Sequence, residues 1–342
     1  MDTAVMDLIN QIQLENSGAD VSAAALFKNT SDLPAGDINY GNIFDIYKFD
    51  NTLYRVPVTG AELKAYMEWS AECYNQWKEG DINISFDSEY PDYLYDMFAG
   101  VDYEIDLSQP KGERIKNVMF KGEPLKDDQT LTLAVNNYRY SSALKSGGLV
   151  SGTKEWESSS SIRDMIVAYF AEHSPVAPTV DNNWKIVGVD LNEDDPRRAE
   201  LISLINDGLL DTPYAKSYNL ADYETLVAQA KANSVLVDGK AFKVDTAVSS
   251  GLGDTVFYRL RDLAVALNGT SAMFNVEWTG QVSITKGSEY TAASLAPRPD
   301  DAPIDYANIT IQVDGSAVDT SALLIGGNYY VSAEGLSALL GI

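Results

Sequence analysis

The run Val101-Asp102-Tyr103-Glu104-Ile105-Asp106-Leu107 alternates without a break between apolar and acidic residues. Successive side chains of a strand point to opposite faces, so this run predicts a half-buried strand with Val101, Tyr103, Ile105 and Leu107 inward. A chain that contains it cannot be all-helical. Helices are equally plain. In TGAELKAYMEWSAECYNQW, Thr59 and Glu62 have capping-box spacing, and Leu63, Tyr66, Met67 and Tyr74 share one face. Residues 3–14 place Val5, Leu8, Ile9 and Ile12 together. SSSIRDMIVAYFAEH reads as a capped amphipathic helix with Ile162, Met165, Ile166, Tyr169 and Phe170 inward. Further strands are expected at 19–27, at 52–58 with Pro57 pushing the end of that strand toward an edge, at RIKNVMF, at TLTLAVN and at WKIVGVDL. Helices and strands mix without a regular βαβ alternation, which points to an α+β fold.

A length of 342 residues suggests two or three domains. In DLNEDDPRRAE charge clusters, and Pro196 interrupts the pattern, which sets a first domain at 1–190 and a helical linker at 191–233. Residues 234–342 carry a weak internal repeat, starting at Val235 and Ile311. Each copy has Val-Asp-Gly, a turn, an aromatic pair and a leucine-bearing helix. The two leucine faces, Leu260, Leu263 and Leu267 against Leu336, Leu339 and Leu340, are expected to bury each other, as a duplicated strand-turn-strand-helix unit would.

Composition narrows the chemistry. A formal net charge of −25 repels phosphate backbones, so nucleic acid and anionic lipid are poor partners. No window reaches the roughly 18 apolar residues of a membrane span. The opening segment MDTAVMDLINQ is no signal peptide, so either the protein is cytosolic or this sequence begins inside a longer precursor. One cysteine, Cys73, excludes an intramolecular disulfide and reads as a buried thiol in a helix. One histidine, His173, stands at the end of a helical run, where a cation is favourable in itself. Zinc centres and Ser-His-Asp or Cys-His catalysts lean on histidine, so neither catalytic nor metal residues are assigned. NEDD and LINDGLLD lack EF-hand spacing. The face formed by Asp102, Glu104 and Asp106 reads as solvated surface rather than a general acid and base. No Gly-rich phosphate loop follows a strand.

Aromatic residues remain. The apolar run TLTLAVN ends abruptly in Asn136-Asn137-Tyr138, and Phe49 follows another apolar stretch. Two such rings could clamp a nucleobase, since stacking tolerates any purine or pyrimidine. Two ordinary core rings would give the same sequence.

Residues 33–71, 96–139 and 181–188 settle which expectation to carry forward. The stretches NIFDIYKFDNTLYRVPVTGAELKAY, VDYEIDLSQPKGERIKNVMFKGEPLKDDQTLTLAVNNYR and DNNWKIVG resemble the C-terminal domain of the 5'-nucleotidase superfamily. The nearest branch is the bacterial 2',3'-cyclic-nucleotide 2'-phosphodiesterase/3'-nucleotidases. That resemblance implies a layered α/β domain that supplies substrate specificity. It implies that Phe49 and Tyr138 sandwich the base, with Asn136 and Asn137 shaping the loop or touching the base edge. The implied partners are nucleosides, 3'-nucleotides and 2',3'-cyclic nucleotides. Hydrolysis in the family belongs to an N-terminal metallophosphoesterase domain with two divalent metals. Its Asp-His, Gly-Asn-His and Gly-His-x-His motifs do not occur here, so the resemblance implies a C-terminal part of a larger precursor and no cofactor in this chain. Two family features are missing: an Asp in a Gly-rich loop after the second ring, and a phosphate-binding Arg before the first, where this chain has only Lys28.

The stretch 256–290 resembles the copper amine oxidase N-terminal-like, or stalk, domain of Gram-positive surface proteins, a module without the oxidase's copper ligands. It implies a smaller α+β stalk domain at 234–342 and a secreted or cell-wall-associated protein. The alternative function is a non-catalytic surface spacer or adhesion module that has lost base binding.

Overall fold

The alternating run becomes a strand, and its inward set is buried as the alternation requires: Val101, Tyr103, Ile105 and Leu107 all lie in the core. The computed structural model describes residues 2–27, 31–232, 234–237, 240–249, 255–291, 298–299 and 301–341. Backbone contacts divide the chain into two units, Met1–Asn192 with Pro213–Asn219, and Glu193–Thr212 with Leu220–Ile342.

The first unit runs α1 (Ala4–Ser17), β1 (Val21–Ala25), α2 (Tyr40–Ile46), β2 (Thr52–Thr59), α3 (Gly60–Ser70), β3 (Asp96–Ala99), β4 (Asp102–Asp106), β5 (Ile115–Phe120), β6 (Glu123–Pro124), β7 (Thr130–Asn136), the single turn α4 (Asn137–Arg139), β8 (Trp156–Ser161), α5 (Ile162–His173) and β9 (Trp184–Val187). Five strands form a mixed sheet in the order β3-β1-β7-β2-β8, with β1 parallel to β7. Four more form β6-β5-β4-β9. Helices α1 and α5 pack together, while α3 touches β2 and β3 of one sheet and β5 of the other. One core joins them, from Met6, Ile9 and Ile12 through Leu63, Tyr66 and Met67 to Leu131, Leu133 and Val135.

Local chemistry explains the boundaries and one correction. The Thr59 and Glu62 capping box forms: Thr59 N–H donates to Glu62 Oε2 at 2.8 Å and Glu62 N–H donates to Thr59 Oγ1 at 3.2 Å. The helix it starts is shorter than the expected 59–77. It ends at Ser70 and tightens into a 3₁₀ turn over Ala71–Cys73, where Arg114 Nη1 donates to the carbonyls of Ala71 and Tyr74 at 2.8 Å each. Cys73 therefore sits in a 3₁₀ turn, still buried. Strand β2 has neighbours on both sides, but its end at Pro57 is an edge, as expected. Its partner β8 reaches only as far as Arg55, so at Pro57 only β7 remains to be paired. On α1, the most buried stripe is Met6, Ile9 and Ile12 together with the polar Asn10 and Gln13. Asn10 donates to Met97 O and accepts from Ser22 Oγ, and Gln13 Nε2 donates to Ser22 Oγ and Ala23 O, while Gln13 Oε1 has no partner among the described residues.

The second unit contains α6 (Pro196–Asn206), α7 (Tyr223–Ala232), β10 (Ser234–Val237), β11 (Lys240–Lys243), β12 (Thr246–Ser249), β13 (Thr255–Arg259), α8 (Leu260–Ala266), β14 (Phe274–Trp278), β15 (Val282–Lys286), β16 (Ile304–Val313), β17 (Ser316–Ile325), β18 (Asn328–Ser332) and α9 (Ala333–Leu340). Pro196 opens a helix rather than ending one. It sits at the first helical position, with Asp195 Oδ1 accepting from Arg197 N–H at 2.8 Å. Seven strands pair in the order β12-β13-β18-β17-β16-β15-β14, and β10-β11 is a separate hairpin. Strands β13 and β18, each leading into a leucine helix, pair antiparallel at Tyr258↔Val331. Leu260, Leu263, Leu339 and Leu340 share one core. Asp314-Gly315, at φ 50° and 80°, makes the two-residue turn between β16 and β17. The matching Asp238 and Gly239 lie outside the described residues.

Candidate functional site

Register places the two candidate rings. Leu53 pairs with Asn136 in the antiparallel β2–β7 ladder, so the chain entering β2 and the chain leaving β7 meet at one end of the sheet. Phe49 is three residues before β2 and Tyr138 two after β7. The same end receives Phe27 after the parallel strand β1, and Tyr93 and Asp96 at the start of β3, which pairs Ala25↔Asp96. It also receives Arg163 after β8, which pairs Thr52↔Ser161. Neither candidate ring is core: Phe49 is 45% exposed and Tyr138 58%. Tyr40, Phe44 and Tyr93 are also exposed aromatics.

The turn that carries Tyr138 is built from the backbone outward. Asn136 Oδ1 accepts from Arg139 N–H at 2.7 Å, capping the single helical turn. Ser141 and Ser142 donate their hydroxyls to the carbonyls of Asn137 and Tyr138. Beneath the turn lies Arg139, only 3% exposed. Its Nε pairs with Asp96 Oδ2 at 2.6 Å, its Nη2 donates to Tyr93 O, and its guanidinium lies over Trp69 at 5.2 Å. Tyr66 donates to the same Asp96 oxygen at 2.8 Å. Burial pushes the Asp96 carboxyl up, while Arg139 and Tyr66 pull it back toward its ionised form. Burial and the Asp96 charge raise the Tyr66 hydroxyl well above its ordinary range, so it stays a donor.

A second buried arginine holds the other turn. Arg163, 7% exposed, donates from Nη1 to Lys48 O at 2.9 Å and pairs with Asp50 on either side of Phe49. The rings of Tyr40 and Phe44 flank its guanidinium at 5.6 and 5.3 Å. Ile162 N–H donates to Asn51 O at 2.9 Å. Phe27 meets the Phe49 ring edge to face, with centroids 4.9 Å apart and planes at 85°. Both turns are thus fixed from below, while the rings above them remain in solvent.

The structure brings Phe49 and Tyr138 to one sheet end and gives Asn136 a backbone partner there. Asn137 is half-buried, and its Oδ1 is shielded from solvent without a hydrogen-bond partner among the described residues. Sequence reasoning missed Arg139, Arg163, Asp96 and Tyr66. The available signal was an arginine inside an otherwise apolar or tightly turned segment, since a buried guanidinium needs a carboxylate. Lys28 lies outside the described residues. His173 stacks on Tyr169 at the end of α5, with Nδ1 3.1 Å from Tyr169 O. Glu104 takes Lys185 and Asn117 as partners.

Among the described residues, Asp2, Asp7 and Asp181 bring carboxylate oxygens within 4.8 Å of one another. Burial, with Asp2 and Asp181 close by, pushes Asp7 up to about 6 against the pull of the Asp181 N–H. The cluster has no imidazole, so it does not fit the histidine-rich dinuclear centre of metallophosphoesterases, and no step is routed through a metal here.

Comparisons with known proteins bear on the same residues. Residues 1–145 match the family model "5'-nucleotidase, C-terminal domain". A 2',3'-cyclic-nucleotide 2'-phosphodiesterase/3'-nucleotidase of Yersinia enterocolitica is 33% identical over 208 residues, covering 52% of this chain and 31% of that protein. The trifunctional nucleotide phosphoesterase protein YfkN of Bacillus subtilis is 32% identical over 174 residues, covering 46% of this chain and 12% of its own length. The matched part thus spans less than a third of either relative. Among solved structures, a 5'-nucleotidase precursor from Thermus thermophilus is 22% identical with a TM-score of 0.44, covering 54% of this chain and 35% of that one.

Proposed function

Residues 1–145 are a 5'-nucleotidase C-terminal domain, homologous to those of 2',3'-cyclic-nucleotide 2'-phosphodiesterase/3'-nucleotidases, and from that premise we propose that the first unit recognises nucleosides and nucleotides by stacking the base between Phe49 and Tyr138. The observation that supports this reading is the pair of half-exposed rings at one sheet end, each on a turn anchored by a buried arginine. Exposed aromatic rings on fixed turns lose little freedom on binding, and preorganisation of that kind raises affinity. Stacking is permissive toward the base, with about 1–3 kcal/mol per base at stake when a ring is removed.

On this reading the chain recognises the substrate, and metal-dependent hydrolysis belongs to a metallophosphoesterase domain acting with it. The substrates proposed are 3'-nucleotides and 2',3'-cyclic nucleotides, the classes named for its relatives. Asn136 serves the site by holding the turn, and Asn137 offers the amide closest in sequence to Tyr138. The second unit is proposed as a stalk-like spacer of a secreted or wall-associated protein, with its paired leucine helices providing a self-sufficient core. The departure after Tyr138, where a serine-rich turn replaces the family's Gly-rich loop with its Asp, favours the alternative of a spacer without base binding.

Calorimetric titration of adenosine into the chain separates these readings. Saturable binding that Phe49→Ala weakens at least tenfold supports recognition. Binding that is absent, or indifferent to Phe49, supports the spacer. Metal-dependent turnover of 3'-AMP by the purified chain contradicts the division of labour.

A further inference from the structure

Lys48 stands immediately before the Phe49 ring. Its ammonium lies over that ring, 5.0 Å from the centroid, and the side chain is exposed. Among the described residues, the other cations named around the two turns are already committed. Arg139 is paired with Asp96 and Arg163 with Asp50. Lys154 is paired with Glu157, and Lys145 donates to the carbonyls of Ser151 and Gly152. Lys48 has no carboxylate partner among the described residues, in a chain of formal net charge −25. Its backbone is fixed, because Arg163 holds the Lys48 carbonyl. Only the flexible four-carbon stem can move.

A cation over an exposed ring is held weakly. A phosphate offers a formal charge and several strong acceptor oxygens, and lysine binds phosphate as a point charge. We infer that Lys48 sets a preference of this site for phosphorylated over unphosphorylated nucleosides. Its ammonium yields the face of Phe49 to an arriving base and turns to the ligand's phosphate. The inference rests on the base-stacking reading and deepens it by naming the residue of this chain that reads the phosphate. The same residue would give the site its dependence on salt, because an exposed ion pair is screened within about 10 Å at 0.1 M ionic strength.

The test titrates adenosine and 3'-AMP separately into the intact chain, by ligand-observed NMR at low salt. The proteins are the wild type, Lys48→Met, Lys48→Arg and Tyr138→Ala. Lys48→Met keeps an unbranched stem and removes the charge. The wild type is expected to prefer 3'-AMP by about three- to tenfold, as one or two exposed charge contacts would give. The ratio should fall to near one in Lys48→Met and return in Lys48→Arg. A wild-type ratio near one, or a ratio that survives Lys48→Met, overturns the role of Lys48. If adenosine binding still depends on Tyr138 in that case, the base site stands without it. If neither ligand binds the wild type, the base site and the inference fall together.

Discussion

Tyr138 and Arg139 are neighbours with opposite fates, one 58% exposed and the other 3%. That contrast separates recognition from support. Removing the Tyr138 ring should change stability by no more than about 0.5 kcal/mol, as for other surface substitutions. Arg139→Met should cost about 3–5 kcal/mol, because it leaves the Asp96 charge buried and unpaired. Urea denaturation of the two variants measures both. A Tyr138→Ala protein as destabilised as Arg139→Met would show that the ring is part of the core after all. The aromatic in Asn-Asn-Tyr was legible in the sequence, because an apolar strand that ends in two amides needs a reason to stop. The arginines carried only a faint signal, a cation within an apolar or tightly turned segment, and their partners were not legible. A guanidinium beside an aromatic looks like surface until Asp96, which is 43 residues away, is seen beneath it.

At the scale of elements, local rules worked where the signal was local. The Thr59 cap, the Val101–Leu107 alternation and the Asp314-Gly315 turn all form as their residues require. They failed where a distant partner decided. Helix α3 gives way after Ser70 to a turn whose carbonyls the distant Arg114 takes, and four serines join strand β8 because β2 offers a ladder. The start of α1 carries its own pH signature. Asp7 is raised to about 6, so its protonated form is favoured in the folded state. Stability from this group is greatest below about pH 4 and declines as pH rises through about 6. Asp7→Asn should therefore gain on the wild type across that interval. The difference should stay within about 1 kcal/mol, since the group is only partly buried and water screens it. Denaturation midpoints of both proteins from pH 4 to 7.5 check the sign. A wild type that gains on the variant as pH rises would refute it. Gly100 offers a second test. It sits at φ +87°, and a Cβ there would lie 2.3 Å from Asp20 O, so Gly100→Ala should destabilise the β1–β3 pairing by at least about 1–3 kcal/mol.

For the whole molecule, the division into two units follows from where apolar faces find partners. The leucine faces of α8 and α9 were readable because their spacing repeats. The return of Pro213–Asn219 to the first unit was not, because it depends on single contacts such as the stacking of Tyr214 on Phe86. A net charge of −25 sets a global expectation: like charges repel most in dilute buffer. Thermal midpoints should rise as NaCl increases from about 0.02 to 0.3 M, where the Debye length shrinks several-fold. A midpoint that falls with salt would mean that favourable ion pairs outweigh this repulsion. The central claim, that the sheet end recognises nucleobases, is tested most directly by saturation-transfer NMR of adenosine against the intact chain, with Tyr138→Ala as control. The account predicts transfer to the adenine protons that disappears in the variant. Transfer of equal strength in both proteins, or none in either, would contradict it.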